Sequence, residues 1–183
     1  HVGLALAFRR LALQQRIAPH SVQIVAATAA VHPAATLVLL MGLDLPCPAR
    51  ERPAQEAADA LRAFARTSGY TERQVFTVSG AHYDWASLLG AGSALSLFGD
   101  RQLIEIRIPS GKPGKEGSQV LQKYCELAAG NDGMVTLVTL PRLDKTQMSS
   151  AWFSALDQVG MTVRCDPVER QALPLWIAQR LAA

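Results

Sequence analysis

Met134-Val-Thr-Leu-Val-Thr-Leu140 is almost wholly apolar, as a strand is when helices cover both of its faces. Upstream, Gln102 to Ile108 alternates: Ile104, Ile106 and Ile108 point one way, Glu105 and Arg107 the other. That alternation predicts a strand with one face solvated or lightly covered. Between the two runs, the loop Pro109 to Gly117 holds three glycines and two prolines. It leads into a helix with Val120, Leu121, Tyr124, Cys125 and Ala128 on its inner side.

Further out the alternation of strands and helices continues. Ala54, Ala57, Ala58, Leu61, Phe64 and Ala65 recur at helical spacing, and Ser68-Gly69 supplies a stop. Gln74 to Ser79 is a short β-favouring run. Asp84 can cap a helix carrying Trp85, Leu88 and Leu89, with Gly90 and Gly92 ending it. Asp144 and Gln147 form a capping box for a helix burying Met148, Ala151, Trp152, Ala155 and Leu156, and Met161 to Cys165 reads as a strand. Pro174 then opens a helix over Leu175 to Leu181. Strands joined by helices imply βαβ crossovers, so the expectation is an α/β fold with a three-layer α/β/α, mostly parallel sheet.

Composition narrows the function classes. Hydrophobic residues make up 49% of the 183 and charged ones 18%, enough apolar surface to offset the ordering entropy of a globular chain. A net charge of +3, with no long Lys/Arg run, permits nucleic-acid contact without indicating it. Cys47, Cys125 and Cys165 have no CxxC spacing, so neither a disulfide framework nor a zinc ribbon is implied and a reducing cytoplasm fits. His1, His20, His32 and His82 form no metal-binding pattern. From Ser21 to Leu43 no residue is formally charged, which raises a membrane anchor. The Ala-rich composition, with His32 and Pro33 inside it, favours buried pieces of a soluble core over Val22 to Val31 and Thr36 to Met41.

An α/β domain invites a nucleotide-binding enzyme, which the loop Ser110-Gly-Lys-Pro-Gly-Lys-Glu-Gly117 would have to serve. A P-loop requires a glycine, four intervening residues, then Gly-Lys and a hydroxyl after it. Here Pro109 and Glu116 occupy those places, and the apolar strand ends in Pro141-Arg142 instead of a magnesium-binding acid. No GxGxxG or GxSxG is present. Cys125, on an apolar helix face, reads as a small buried hydrophobe. Neither a catalytic residue nor a cofactor is expected. The anomaly is Ser93-Ala-Leu-Ser-Leu-Phe-Gly-Asp-Arg101, where Leu95, Leu97 and Phe98 stand between turn-forming glycines. Composition alone favours tucking them inward.

In their order along residues 51 to 183, several segments resemble the delta-subunit family of the bacterial DNA polymerase III clamp loader. They are Gln55-Glu-Ala-Ala-Asp-Ala-Leu-Arg62, Ser96-Leu-Phe-Gly-Asp-Arg-Gln102, Ile108-Pro-Ser-Gly-Lys-Pro-Gly-Lys115, Leu140-Pro-Arg-Leu-Asp-Lys145, Ala151-Trp-Phe-Ser-Ala-Leu156 and Leu173-Pro-Leu-Trp-Ile-Ala178. The resemblance implies an AAA+-type domain over 51–166 that has lost ATP chemistry, with a helical lid domain beginning at 167–183. It also implies that Leu97 and Phe98, with Leu95 before them, project into a hydrophobic pocket on the sliding clamp. The other implied partners are the remaining loader subunits and primed DNA within the complex, with no membrane. Family members run from a first strand into Gly-Asp-Glu, whereas Met41-Gly-Leu-Asp-Leu-Pro stands here. Residues 1–50 fit no part of the pattern, and a wrong start or frame is one reading of them. Both ends read as cut.

Overall fold

A computed structural model of the chain describes residues 22–25, 37–41, 48–80, 83–93, 101–129, 131, 133–165, 170–171 and 173–181. Its strands are β1 (Val22–Val25), β2 (Leu37–Met41), β3 (Tyr70–Thr77), β4 (Arg101–Arg107), β5 (Met134–Leu140) and β6 (Gly160–Cys165). Its helices are α1 (Pro48–Thr67), α2 (Trp85–Ser93), α3 (Gly114–Ala128), α4 (Lys145–Met148), α5 (Ala151–Val159) and α6 (Leu173–Leu181). The strands form one six-stranded sheet in the order β1-β6-β2-β5-β4-β3. Every neighbouring pair is parallel except β1 with β6. The expected α/β fold is present.

β5 is buried along its whole length, as its apolar sequence requires. The uncharged stretch from Ser21 to Leu43 contributes β1 and β2, and β2 lies between β6 and β5 near the middle of the sheet. Among the described residues, no helix is long and apolar enough to cross a membrane.

Helices α2, α3 and α5 cover one face. Trp85, Leu88, Tyr124, Leu121, Trp152 and Leu156 pack there on Ile104, Ile106, Met134 and Val138. Helix α1 covers the other, setting Ala54, Ala57, Ala58, Leu61 and Ala65 on Leu103, Val135, Leu137 and Val163. The five inner residues expected of α3 are all buried.

Several boundaries differ from the sequence reading, each for a physical reason. β3 starts at Tyr70 and not Gln74, because an exposed edge strand tolerates Thr71, Glu72 and Arg73 while it pairs with β4. Gly90 and Gly92 lie inside α2 instead of ending it. Gly92 faces the Tyr124 ring, where a Cβ would sit 2.8 Å from Cε2. The capping box at Asp144 forms, with its carboxylate accepting from Gln147 N at 2.7 Å. It starts only the short α4, however; the chain turns at Ser149-Ser150, and α5 buries Trp152, Phe153 and Leu156 while Ala151 is exposed. The α1 side of β4 is not solvated: Glu105 is 1% exposed beneath α1.

Candidate functional site

Leu95, Leu97 and Phe98 fall within 94–100, outside the described residues; His82 also lies outside them. The two ends of that connection are described, and both are fastened. At the α2 end, Gln102 Nε2 donates to the Ala91 carbonyl at 3.2 Å and Ser93 Oγ donates to the Gly90 carbonyl at 3.1 Å. These bonds go to carbonyls of the last helical turn, which an ideal helix leaves without intrahelical partners. Gly92 rests on the ring of Tyr124, whose hydroxyl lies 2.7 Å from Thr136 Oγ1. At the β4 end, Arg101 donates to the Ser68 carbonyl at 3.1 Å and its guanidinium stacks 5.5 Å from the centre of the Tyr70 ring. Gln102 N donates to Gly133 O at 2.9 Å.

Tyr70, Arg101 and Met134 lie at the amino ends of parallel strands, so the connection returns to the sheet at that end. The carboxyl end, where open α/β sheets hold their ligands, is built differently. A cleft of about 370 Å³ opens there between α1 and the ends of β4 and β5, lined by Ala54, Ala58, Asp59, Arg62, Arg107 and Thr139 among others. Behind it sits Glu105. Its Oε1 accepts from Arg62 Nε at 2.8 Å and Arg73 Nε at 2.6 Å. Its Oε2 accepts from Arg62 Nη2 at 3.0 Å and Arg107 Nη2 at 3.2 Å.

Burial alone would raise the Glu105 pKa, but the hydrogen bonds from Arg62, Arg73 and Arg107 outweigh it and hold the carboxyl at about 2. Arg62 is in turn pushed above its ordinary value, chiefly by Glu105 and against the effect of its own burial. A carboxylate held so firmly ionised, with its oxygens filled, has no affinity to spare for a general acid or base role.

The expected loop over Pro109 to Gly117 is shorter than the sequence suggested: the connection from β4 ends at Pro113, and Gly114 to Gly117 form the first turn of α3. Gly111 takes φ +64° and turns the loop down onto Pro141 and Leu143, with a Cβ there falling 2.9 and 2.8 Å from their side chains. Burial pushes the Cys125 thiol up to about 12, so it carries almost no thiolate. Among the described residues, no group of three or more His, Cys, Asp or Glu is placed to hold a metal ion.

The sequence reading did not single out Gln102 or the arginines around Glu105. A signal for Gln102 was present: it is a lone amide on the strand face that carries Ile104, Ile106 and Ile108. The arginines come from α1, β3 and β4, and no spacing rule joins them.

No protein-family model matches the chain. It is 31% identical over 126 residues to DNA polymerase III subunit delta of Escherichia coli K12, covering 69% of this chain and 36% of that protein. It is 22% identical over 133 residues to DNA polymerase III subunit delta of Haemophilus influenzae Rd, covering 70% of this chain and 37% of that protein. The chain thus spans a little over a third of the length of these curated relatives. Folded as an α/β domain and alike in sequence over 69% of its length, the chain is a homologue of DNA polymerase III delta subunits over that part.

Proposed function

We propose that the chain acts as the clamp-binding part of a clamp-loader delta subunit in DNA replication, gripping the sliding clamp with Leu97 and Phe98, aided by Leu95. It catalyses nothing itself and takes no cofactor. Its partners are the clamp, the other loader subunits and, within the complex, primed DNA; its place is the cytoplasm. The observation that carries this reading is the sequence likeness to a DNA polymerase III delta subunit over 126 residues. Two features support it. The Leu-Phe connection springs from fastened ends at the amino end of the sheet. At the carboxyl end, the loop a nucleotide would need has Glu116 in place of a hydroxyl and is turned onto Pro141 and Leu143.

Burying a Leu and a Phe from water contributes ~1.5 to 3 kcal/mol each, and central apolar anchors serve as hot spots. Opening a closed ring requires more, because a ligand shifts an equilibrium only by its differential affinity for the two states. The segment therefore binds the clamp surface better when the ring is sprung.

The test is binding of this chain to its sliding clamp by titration, with and without Leu97→Ala and Phe98→Ala. The pair is expected to cost ~2 to 4 kcal/mol of affinity with the fold retained. A double variant that binds as well as the parent overturns the assignment. ATP binding at micromolar concentration that disappears in Lys115→Met would instead favour a nucleotide enzyme.

A further inference from the structure

The sequence holds no long Lys/Arg run, but the fold assembles a basic surface from two segments that lie far apart in the chain. Lys112 and Lys115 come from the connection between β4 and α3 and from the first turn of that helix; Arg142 and Lys145 come from the connection after β5 and the start of α4. The two segments leave the carboxyl ends of neighbouring parallel strands, and they touch. Gly111 is buried against Pro141 and Leu143, whose side chains lie 2.9 and 2.8 Å from where a Cβ at 111 would sit. Lys112 is held in its turn by Ser110, whose Oγ accepts from Lys112 N and donates to Lys112 O, each at 3.2 Å. Lys112, Lys115, Arg142 and Lys145 are all exposed, and among the described residues none of them forms an ion pair. The carboxylates within the same segments are Glu116 and Asp144, and Asp144 is committed to capping α4 through Gln147 N.

We infer that this surface docks the sugar-phosphate backbone of duplex DNA. The inference deepens the reading above, in which primed DNA is a partner, and rests on it for the choice of a nucleic acid. A small anion would need donors converging in a hollow, and the packing of Gly111 onto Pro141 and Leu143 closes the loop against one. Exposed cations spread over two segments suit instead a polyanion whose charges are spread in the same way. Such contacts position a protein on the duplex without reading its bases. Each phosphate neutralised releases counterions, so affinity falls with salt at a logarithmic slope of about 0.9 per contact.

The test is fluorescence anisotropy of this chain with a short labelled DNA duplex, titrated at salt concentrations from about 50 to about 200 mM. The parent is expected to bind and to lose affinity about 100-fold across that range, as about four phosphate contacts require. Lys112→Gln with Arg142→Gln, one from each segment, should lower the slope by about 2 and the affinity at the low-salt end about tenfold. Arg66→Gln with Lys123→Gln removes the same charge from exposed positions on α1 and α3 and should weaken binding about twofold or less. Lys115→Gln with Lys145→Gln is a second pair from the basic surface and decides if the first fails to fold. A parent that does not bind the duplex at low salt overturns the inference, as does a control pair that weakens binding as much as the surface pair. Polyglutamate that displaces the labelled duplex as well as unlabelled duplex does, at equal charge, also overturns it and points to an acidic protein surface instead. The failures are separable because this titration uses no clamp. A chain that binds its clamp through Leu97 and Phe98 yet ignores DNA keeps the clamp reading and rejects the basic surface; one that binds DNA through that surface but not the clamp rejects the clamp reading alone.

Discussion

On one face of the sheet the core is filled by large rings and branched chains, Trp85, Tyr124, Trp152, Phe153, Leu88 and Leu121, drawn from three helices. On the other, a single helix lays Ala54, Ala57, Ala58, Ala60 and Ala65 against the strands, with Leu61 the one large residue among them. Short side chains leave little between a helix and a sheet. On that second face a guanidinium of the helix reaches a carboxylate in the middle of a strand, where Arg62 meets Glu105, whereas on the first the neutral Tyr124 hydroxyl meets Thr136. The first face excludes water by volume; the second tolerates a charge because the backbone that covers it brings the countercharge along. Removing one partner of a buried ion pair is expensive for the group left behind, so a Glu at 105 requires an Arg-bearing helix close by.

This contrast can be broken from either side. The largest effect is expected from Leu121→Ala on the ring-filled face, where a fully buried leucine has no small neighbour ready to collapse into its place. Thermal or denaturant unfolding should show a loss of ~3 to 5 kcal/mol. Glu105→Leu should cost ~2 to 4 kcal/mol, since it strands three guanidiniums at once, of which Arg73 and Arg107 are half-exposed and recover some hydration. A neutral result would mean that the charge network contributes nothing net.

The same variant tests a pH dependence. The Glu105 carboxyl is lowered from 4.5 to about 2, so the stability it confers is fully present above pH 4.5 and is lost as pH falls through 2. Acid unfolding of the parent across that window should be steeper than that of Glu105→Leu, and parallel curves would reject the linkage. On the alanine face, Ala57→Leu forces the helix outward and should cost ~1 to 3 kcal/mol, visible in the same unfolding curves. The smallest expected change is Arg107→Met, ~1 kcal/mol or less, because one of three arginines is removed from its rim.

How much could be read beforehand follows the same division. The ring-filled face announced itself: Val120, Leu121, Tyr124, Cys125 and Ala128 recur at helical spacing, and all five are buried. Alanines at the right spacing announced α1 as well, but the reading of the Glu105 and Arg107 face as solvated or lightly covered missed how completely the carboxylate is shielded beneath α1. Gln102 was placed in its strand but not singled out, because its partners, Ala91 and Gln74, come from other elements. Leu95, Leu97 and Phe98 were legible only as an anomaly of composition, and the expectation that they project outward rests on the resemblance to a family.

By itself the sequence determined the element types and the alternation of strands with helices, because periodicity is a local property: a side chain's neighbours three and four, or two, residues away set which face it shares. It also determined that the phosphate-binding pattern is broken, since that chemistry depends on residue types at fixed short spacings. Tertiary structure alone decided that Leu37–Met41 pairs with both β5 and β6 near the centre of the sheet. It alone brought arginines from α1, β3 and β4 onto one carboxylate, and set Gln102 beneath the end of α2. Those contacts join residues from different elements, and the energy that selects them, desolvation offset by hydrogen bonding, exists only once the elements have packed.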